Sequence, residues 1–155
     1  MLQQCCKAFD WSAGLQPTFA GEKKVPRLEY NKTNCDCRDG WVVHGHTCYH
    51  FSHDTENWID AKLVCQALQG SLVVIESQEE NDFLQNQIQS LNHDWYWTAL
   101  SDLEEEHNWG WMGDRKTALV YYTNWDHGEP SSSNQENCGA IKTNGRWKDI
   151  TCHQF

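Results

Sequence analysis

Three short segments near the end of the chain hold a dense set of oxygen donors. Gly128-Glu129-Pro130-Ser131 is followed by Glu136-Asn137-Cys138 and then by Trp147-Lys148-Asp149. Calcium takes about six to eight hard oxygens from flexible loops, so this is the chemistry such residues suit. Glu129, Glu136 and Asp149 supply three carboxylates. A cis bond before Pro130 would turn both flanking side chains to one side of the loop. A second set, Asp102 with Glu104, Glu105 and Glu106, offers another place for the same ion. On composition alone the plainer reading is a solvated acidic face.

These loops need a scaffold, and its elements come early in the chain. Trp41-Val42-Val43 and Cys48-Tyr49-His50-Phe51 read as two strands turning at Gly45. A helix follows, with Thr55 as cap and Trp58, Ala61, Cys65 and Leu68 on one apolar face. Gly70 is a natural stop. Leu72-Val73-Val74-Ile75 reads as a short buried strand. Ser77-Gln78-Glu79-Glu80 has the pattern of a capping box, opening a second helix with Leu84, Ile88 and Leu91 inward. After that the helical period vanishes. Residues 95–100, 109–111, 118–125, 138–141 and 146–149 are strand-like runs between polar loops. Helices early and strands with long loops late predict an α+β fold whose loops do the binding.

Composition narrows the class. The 155 residues are about one domain's worth, and the net charge is −10. That excludes nucleic acid as the main partner and disfavours an anionic membrane, because both need a basic face. No apolar run is long enough to span a membrane. No charged-then-apolar opening marks a signal peptide, so a secreted protein would be represented here by its mature form or a fragment. Residues 1–36 carry +1 and residues 37–155 carry −11. We read 1–36 as a leader or stalk and 37–155 as the folded domain. Eight cysteines point to an oxidising, extracellular compartment and a disulfide-stapled fold. Asn31-Lys32-Thr33 is a glycosylation sequon consistent with secretion. No nucleophile elbow, P-loop or zinc-protease motif is present, so no enzyme is expected. Cys35, Cys37, His44 and His46 fit no standard zinc spacing. The nine tryptophans, Trp109, Trp111 and Trp125 among them, are mostly core material. His127 reads as a solvent-exposed loop residue.

Taken together, Gly40-Trp41, Cys37, Cys48-Tyr49, Cys65, Trp97-Thr98-Ala99-Leu100, Trp125, Glu129-Pro130-Ser131, Cys138, Trp147-Lys148-Asp149 and Cys152 resemble the C-type lectin domain in order and spacing. The resemblance covers residues 37–155 and extends to the perlucin-like group. It implies two helices with short antiparallel strands and long loops. It implies the disulfides Cys37–Cys48 and Cys138–Cys152. It also implies that Cys65 pairs with a cysteine of a final strand that this sequence lacks. That strand pairs with the first in the family, so an open edge is expected. Either the sequence is a variant or fragment without it, or Cys65 finds a partner among Cys5, Cys6 and Cys35. Those spare cysteines could also link two chains into a dimer.

The resemblance further implies a principal calcium site at which glycan hydroxyls complete the coordination. Glu129, Ser131, Glu136 and Asp149 fall on its positions, and Glu129-Pro130 matches the mannose-type form. Asp102, Glu106 and Glu136 fall on a secondary calcium site. Two positions depart. Ser131 stands where an asparagine is expected, and Lys148 brings an ammonium where an amide oxygen is expected. A unit charge about 4 Å from another costs on the order of 4 kcal/mol at an effective dielectric of 20. Weakened or absent calcium at the principal site is therefore expected. The leading reading is a calcium-dependent, mannose-type lectin acting on glycans or glycoproteins. The alternative is a lectin-like domain that binds a protein or mineral partner without calcium, with Lys148 paired to Glu129 or Glu136.

Overall fold

The computed structural model describes residues 3–9, 37–113, 117–131 and 133–154. The Asn31 sequon, Cys35 and the region 10–36 lie outside them. Among the described residues are nine strands and two helices: β1 Gln3–Phe9, β2 Val42–His44, β3 Thr47–Thr55, α1 Trp58–Ala67, β4 Ser71–Leu72, α2 Gln78–Leu91, β5 Trp95–Ser101, β6 Gly110–Met112, β7 Thr117–Ala118, β8 Cys138–Lys142 and β9 Trp147–Ile150. The sheet runs β2-β3-β1-β5-β6-β7. β4 joins it at β1, and β8 pairs with both β5 and β9. No helix among the described residues is long and apolar enough to cross a membrane.

The helices form where their apolar stripes meet the sheet, but their ends differ from expectation. Asn57, not Thr55, caps α1: its side chain accepts from Asp60 N at 2.9 Å. Asn57 is extended (φ −70°, ψ 166°) and stands directly before Trp58, so its short amide reaches the open amide of the first turn. Trp58, Ala61 and Cys65 are buried as the stripe predicts. The left-handed residue ending α1 is Gln69 (φ 62°), one position before Gly70. At α2, Ser77 accepts from Glu80 N at 3.2 Å. Glu80 reaches back one residue further than a simple box, accepting from Glu76 N at 2.9 Å. The run 72–75 is strand only at its start, since Val73 then makes a single parallel bridge to Thr98. Residues 119–124, expected as strand, are irregular, and Trp125 makes one bridge to Trp147.

The edge expected to be open is not open. β1, within the segment read as a leader, lies antiparallel to β3 and pairs with it from Gln3↔Thr55 to Phe9↔Thr47. It also pairs with β4 and, in parallel, with β5. Its Lys7 is buried and donates to Glu80 Oε1 (2.7 Å), Glu76 Oε2 (3.2 Å) and the Val74 carbonyl (3.1 Å). Tyr49 Oη donates to the same Glu80 oxygen at 2.7 Å. A lysine and a glutamate are rarely buried unless paired, and here each satisfies the other.

The disulfides Cys37–Cys48 and Cys138–Cys152 are present. Cys65 is also disulfide-bonded, to a cysteine outside the described side chains.

The core is aromatic. Trp97 and Trp147 are almost fully buried, and Trp111 packs edge-on against Trp147. Trp109 is only partly buried and packs on Trp125. β5 and β8 approach so closely that only glycine fits at 139. A Cβ there would lie 2.8 Å from Leu100 Cβ and 3.2 Å from Thr98 Oγ1. Gly139→Ala should therefore cost about 1–3 kcal/mol by overpacking, read as a lower midpoint in urea unfolding. An unchanged midpoint would mean that the two strands separate easily.

Candidate functional site

The loop 126–131 and strand β9 bring the principal residues together. β9 pairs with β8 from Cys138↔Ile150 to Ile141↔Trp147, which places Lys148 and Asp149 at the sheet end. The loop is tied to β9 by the Asp126 amide donating to the Trp147 carbonyl at 2.8 Å. Asp126 also forms an ion pair with Lys142 at 2.8 Å. That lysine and the His127 amide hold the Asp126 carboxyl below its usual range. The Glu129–Pro130 bond is cis.

Asp149 is fully buried, and no donor reaches either of its carboxylate oxygens. Glu129 Oε2 is likewise buried without a donor. The two carboxylates adjoin. Burial first, and Asp149 second, push the Glu129 carboxyl above its ordinary range, while Lys148 opposes them. Lys148 Nζ lies 3.1 Å from Glu129 Oε1. The hydrogen bond to Glu129 raises the Lys148 pKa against its partial burial, and the charges of Glu129, Glu136 and Asp149 add to the rise. The ammonium thus pairs with Glu129 and feels the charges of Glu136 and Asp149. Ser131 Oγ donates to Glu136 Oε2 at 2.6 Å and accepts from Ser133 N at 3.3 Å.

Of the four predicted principal residues, Glu129 adjoins Asp149 and Ser131 holds Glu136. The three carboxylates do not close into one set within 4.8 Å of each other. Among the described residues the cation paired with them is Lys148, through Glu129. Buried carboxylate oxygens without donors are expensive unless a cation completes them. The donor set therefore fits calcium, with Lys148 as its competitor.

At the second site, Asp102 and Glu106 do converge, together with His107. Glu136 is not in that group. Asp102 is buried, its Oδ2 accepts from His107 N at 2.9 Å, and no donor reaches its Oδ1. Asn137 Oδ1, also buried, is without a donor too. The Asn137 carbonyl accepts from Asp102 N (3.3 Å) and Ser101 Oγ (2.7 Å), which ties it to the same loop. Sequence reasoning quoted Asn137 only within the segment Glu136-Asn137-Cys138, with no role at the second site, and did not single out His107. For Asn137 the signal was present, since an amide oxygen beside Glu136 is an ordinary calcium donor. Glu104 and Glu105 are exposed and stand outside the group. His127 is exposed, as expected.

Residues 54–155 match the family model described as "Lectin C-type domain". A perlucin-like protein of Mytilus galloprovincialis is 38% identical over 122 residues, covering 76% of this chain and 77% of that protein. C-type lectin domain family 4 member M of Symphalangus syndactylus is 34% identical over 80% of this chain, which spans only 29% of that relative. Among solved structures, the cow carbohydrate-recognition domain of CD23, crystallised in the presence of a GlcNAc2Man3 oligosaccharide, aligns with a TM-score of 0.68 and 36% identity. That alignment covers 77% of this chain and 88% of the cow domain.

Proposed function

The chain belongs to the C-type lectin domain family, and from that premise we propose that it is an extracellular, calcium-dependent glycan-binding module of mannose type with a weakened principal site. One observation carries this reading: Asp149 is fully buried beside Glu129, and three of their four carboxylate oxygens have no donor. Oxygens left in that condition call for a cation. Calcium would supply a Lewis-acidic centre on which vicinal hydroxyls of a sugar complete the coordination. Asp149 would hold it, with Glu129 contributing fully once Lys148 withdraws and Glu136 once Ser131 releases it. The carboxylate oxygens left over accept hydrogen bonds from the same sugar hydroxyls. Ser131 can donate one bond in place of an amide's two. Glu129-Pro130 supports the mannose-type preference. Asp102, Glu106 and Asn137 support a second calcium that would stiffen the loop behind the site. The disulfides support an oxidising, extracellular setting.

The ion pair between Lys148 and Glu129 favours a second reading. In it the lysine keeps the place of the metal and the acidic face meets a protein or mineral partner without calcium.

Retention on mannose and galactose resins separates the two. The expected result is retention on mannose in millimolar calcium and release by EDTA, with Asp149→Asn eluting in the void. Folded wild type that ignores both resins would instead overturn the mannose-type reading and favour the calcium-free one.

A further inference from the structure

We propose that β1 is an exchangeable strand, able to complete the sheet of a second copy of this chain as well as its own. Gln3–Phe9 lies outside the span matched by the family model, yet it occupies the middle of the sheet between β3 and β5. No hairpin joins it to any strand it pairs with. Its nearest partner in sequence is β3, at residues 47–55. Residues 10–36 separate it from the next described residue. Such a length can span up to about 90 Å when extended, so covalent reach does not compel β1 into its own sheet. The contacts it makes are identical in either seat. Two things favour the local one. The tether does so through an effective concentration on the order of millimolar. The Cys65 disulfide, whose partner can only be Cys5, Cys6 or Cys35, fixes the seat once it forms, so exchange belongs to the stage before oxidation. Exchange of an identical element between copies is the low-cost route to a dimer that such an arrangement permits.

The contact that selects this strand is Lys7. It is the cation of a buried cluster in which Glu80 accepts from Lys7, Tyr49 Oη and the Glu76 amide. A strand that brought a carboxylate to this position would be rejected.

That dependence supplies the experiment. Full-length Lys7→Glu and Glu80→Lys are refolded apart and together at about 10 µM, and their masses are read by light scattering after size exclusion. Apart, each places like charges against one another and fails to seat its own strand. Together, each strand finds the opposite charge in the other copy. The native Lys7 of one variant meets the native Glu80 of its partner, and the two introduced residues meet as the same pair reversed. The expected result is a heterodimer at twice the monomer mass, at least tenfold more abundant than any dimer of either variant alone. A dimer linked only through Cys5, Cys6 or Cys35 would form equally in the separate samples. The double variant in one chain reports whether the reversed pair is tolerated. If it folds and the mixture gives no heterodimer, the proposal is wrong. If it does not fold, two mass-tagged wild-type copies co-refolded at about 1 mM decide the matter by native mass spectrometry. Mixed dimers are then expected, and their absence overturns the exchange.

Discussion

Lys148→Asn should tighten calcium binding at least tenfold, equivalent to about 1.4 kcal/mol. In the wild type the ion must displace an ammonium 3.1 Å from Glu129 Oε1. The pair is part-exposed, with Lys148 at 36% and Glu129 at 13%. Its own worth is therefore nearer the range of exposed pairs, up to about 1 kcal/mol, than the buried limit. Asparagine removes that competitor and adds an amide oxygen, so two effects share one sign. Lys148→Met separates them, because it removes the charge and adds no ligand; its gain should be smaller. The metal-free proteins should respond in the opposite direction. Without Lys148, Glu129 and Asp149 lose the charge that partly compensates them, and the melting temperature in EDTA should fall. Calorimetric titration with calcium and paired melts in EDTA and calcium measure both effects. If Lys148→Asn leaves calcium affinity unchanged, the lysine is not the competitor and the weakness lies at Ser131.

Trp147→Ala should produce the largest loss of stability of any single change near the site, about 3–5 kcal/mol. For a chain of this size that is a drop of about 10 °C or more in melting temperature. Trp147 is buried against Trp111, Tyr122 and Trp125, with ring centroids 5.6–5.9 Å apart. Its indole Nε1 donates to Asn81 Oδ1 at 2.8 Å, and Asn81 Nδ2 donates to the Gly145 carbonyl at 3.0 Å. Its carbonyl accepts from Asp126 N, and its amide donates to the Asn124 carbonyl. One residue therefore joins α2, the aromatic core and the loop that carries Glu129. Trp147→Phe keeps most of the packing and loses the Asn81 bond, so it should lie between wild type and alanine. Calcium-dependent binding should fall with the alanine variant even below its melting temperature. The segment leading into the loop loses the packing of Tyr122 and Trp125 on the Trp147 ring, although the backbone bonds of residue 147 to Asp126 and Asn124 remain. A variant that melts early but binds normally in the cold would show that the loop is held by Asp126 and Lys142 instead.

The legible part of this chain was local chemistry. The α2 cap rests on Ser77 and Glu80, three residues apart, and any helix starting there would use them. The disulfides Cys37–Cys48 and Cys138–Cys152 followed from the family pattern carried by short motifs. Glu129, Glu136, Asp149, Asp102 and Glu106 could be picked out as candidate oxygen donors because calcium chemistry selects residue types, and types are what a sequence lists.

Structure was needed wherever two distant residues compete for one place. Thr55 and Asn57 are both good caps, and Gln69 and Gly70 both follow the end of α1; packing of Trp58 and Cys65 decided between them. Lys148 had two candidate partners, Glu129 and Glu136, and only the path of β9 past the loop set it closest to Glu129. Asn137 and His107 gained significance only when Asp102 came to lie beside them. The position of β1 was the least legible of all. A seven-residue strand has little periodicity, and its seat depends on what the rest of the sheet leaves unpaired. Residue types are properties of the chain one position at a time. Which buried charge meets which partner is a property of the sum of all contacts, and for Lys7, Lys148 and Asp149 only the tertiary structure evaluates that sum.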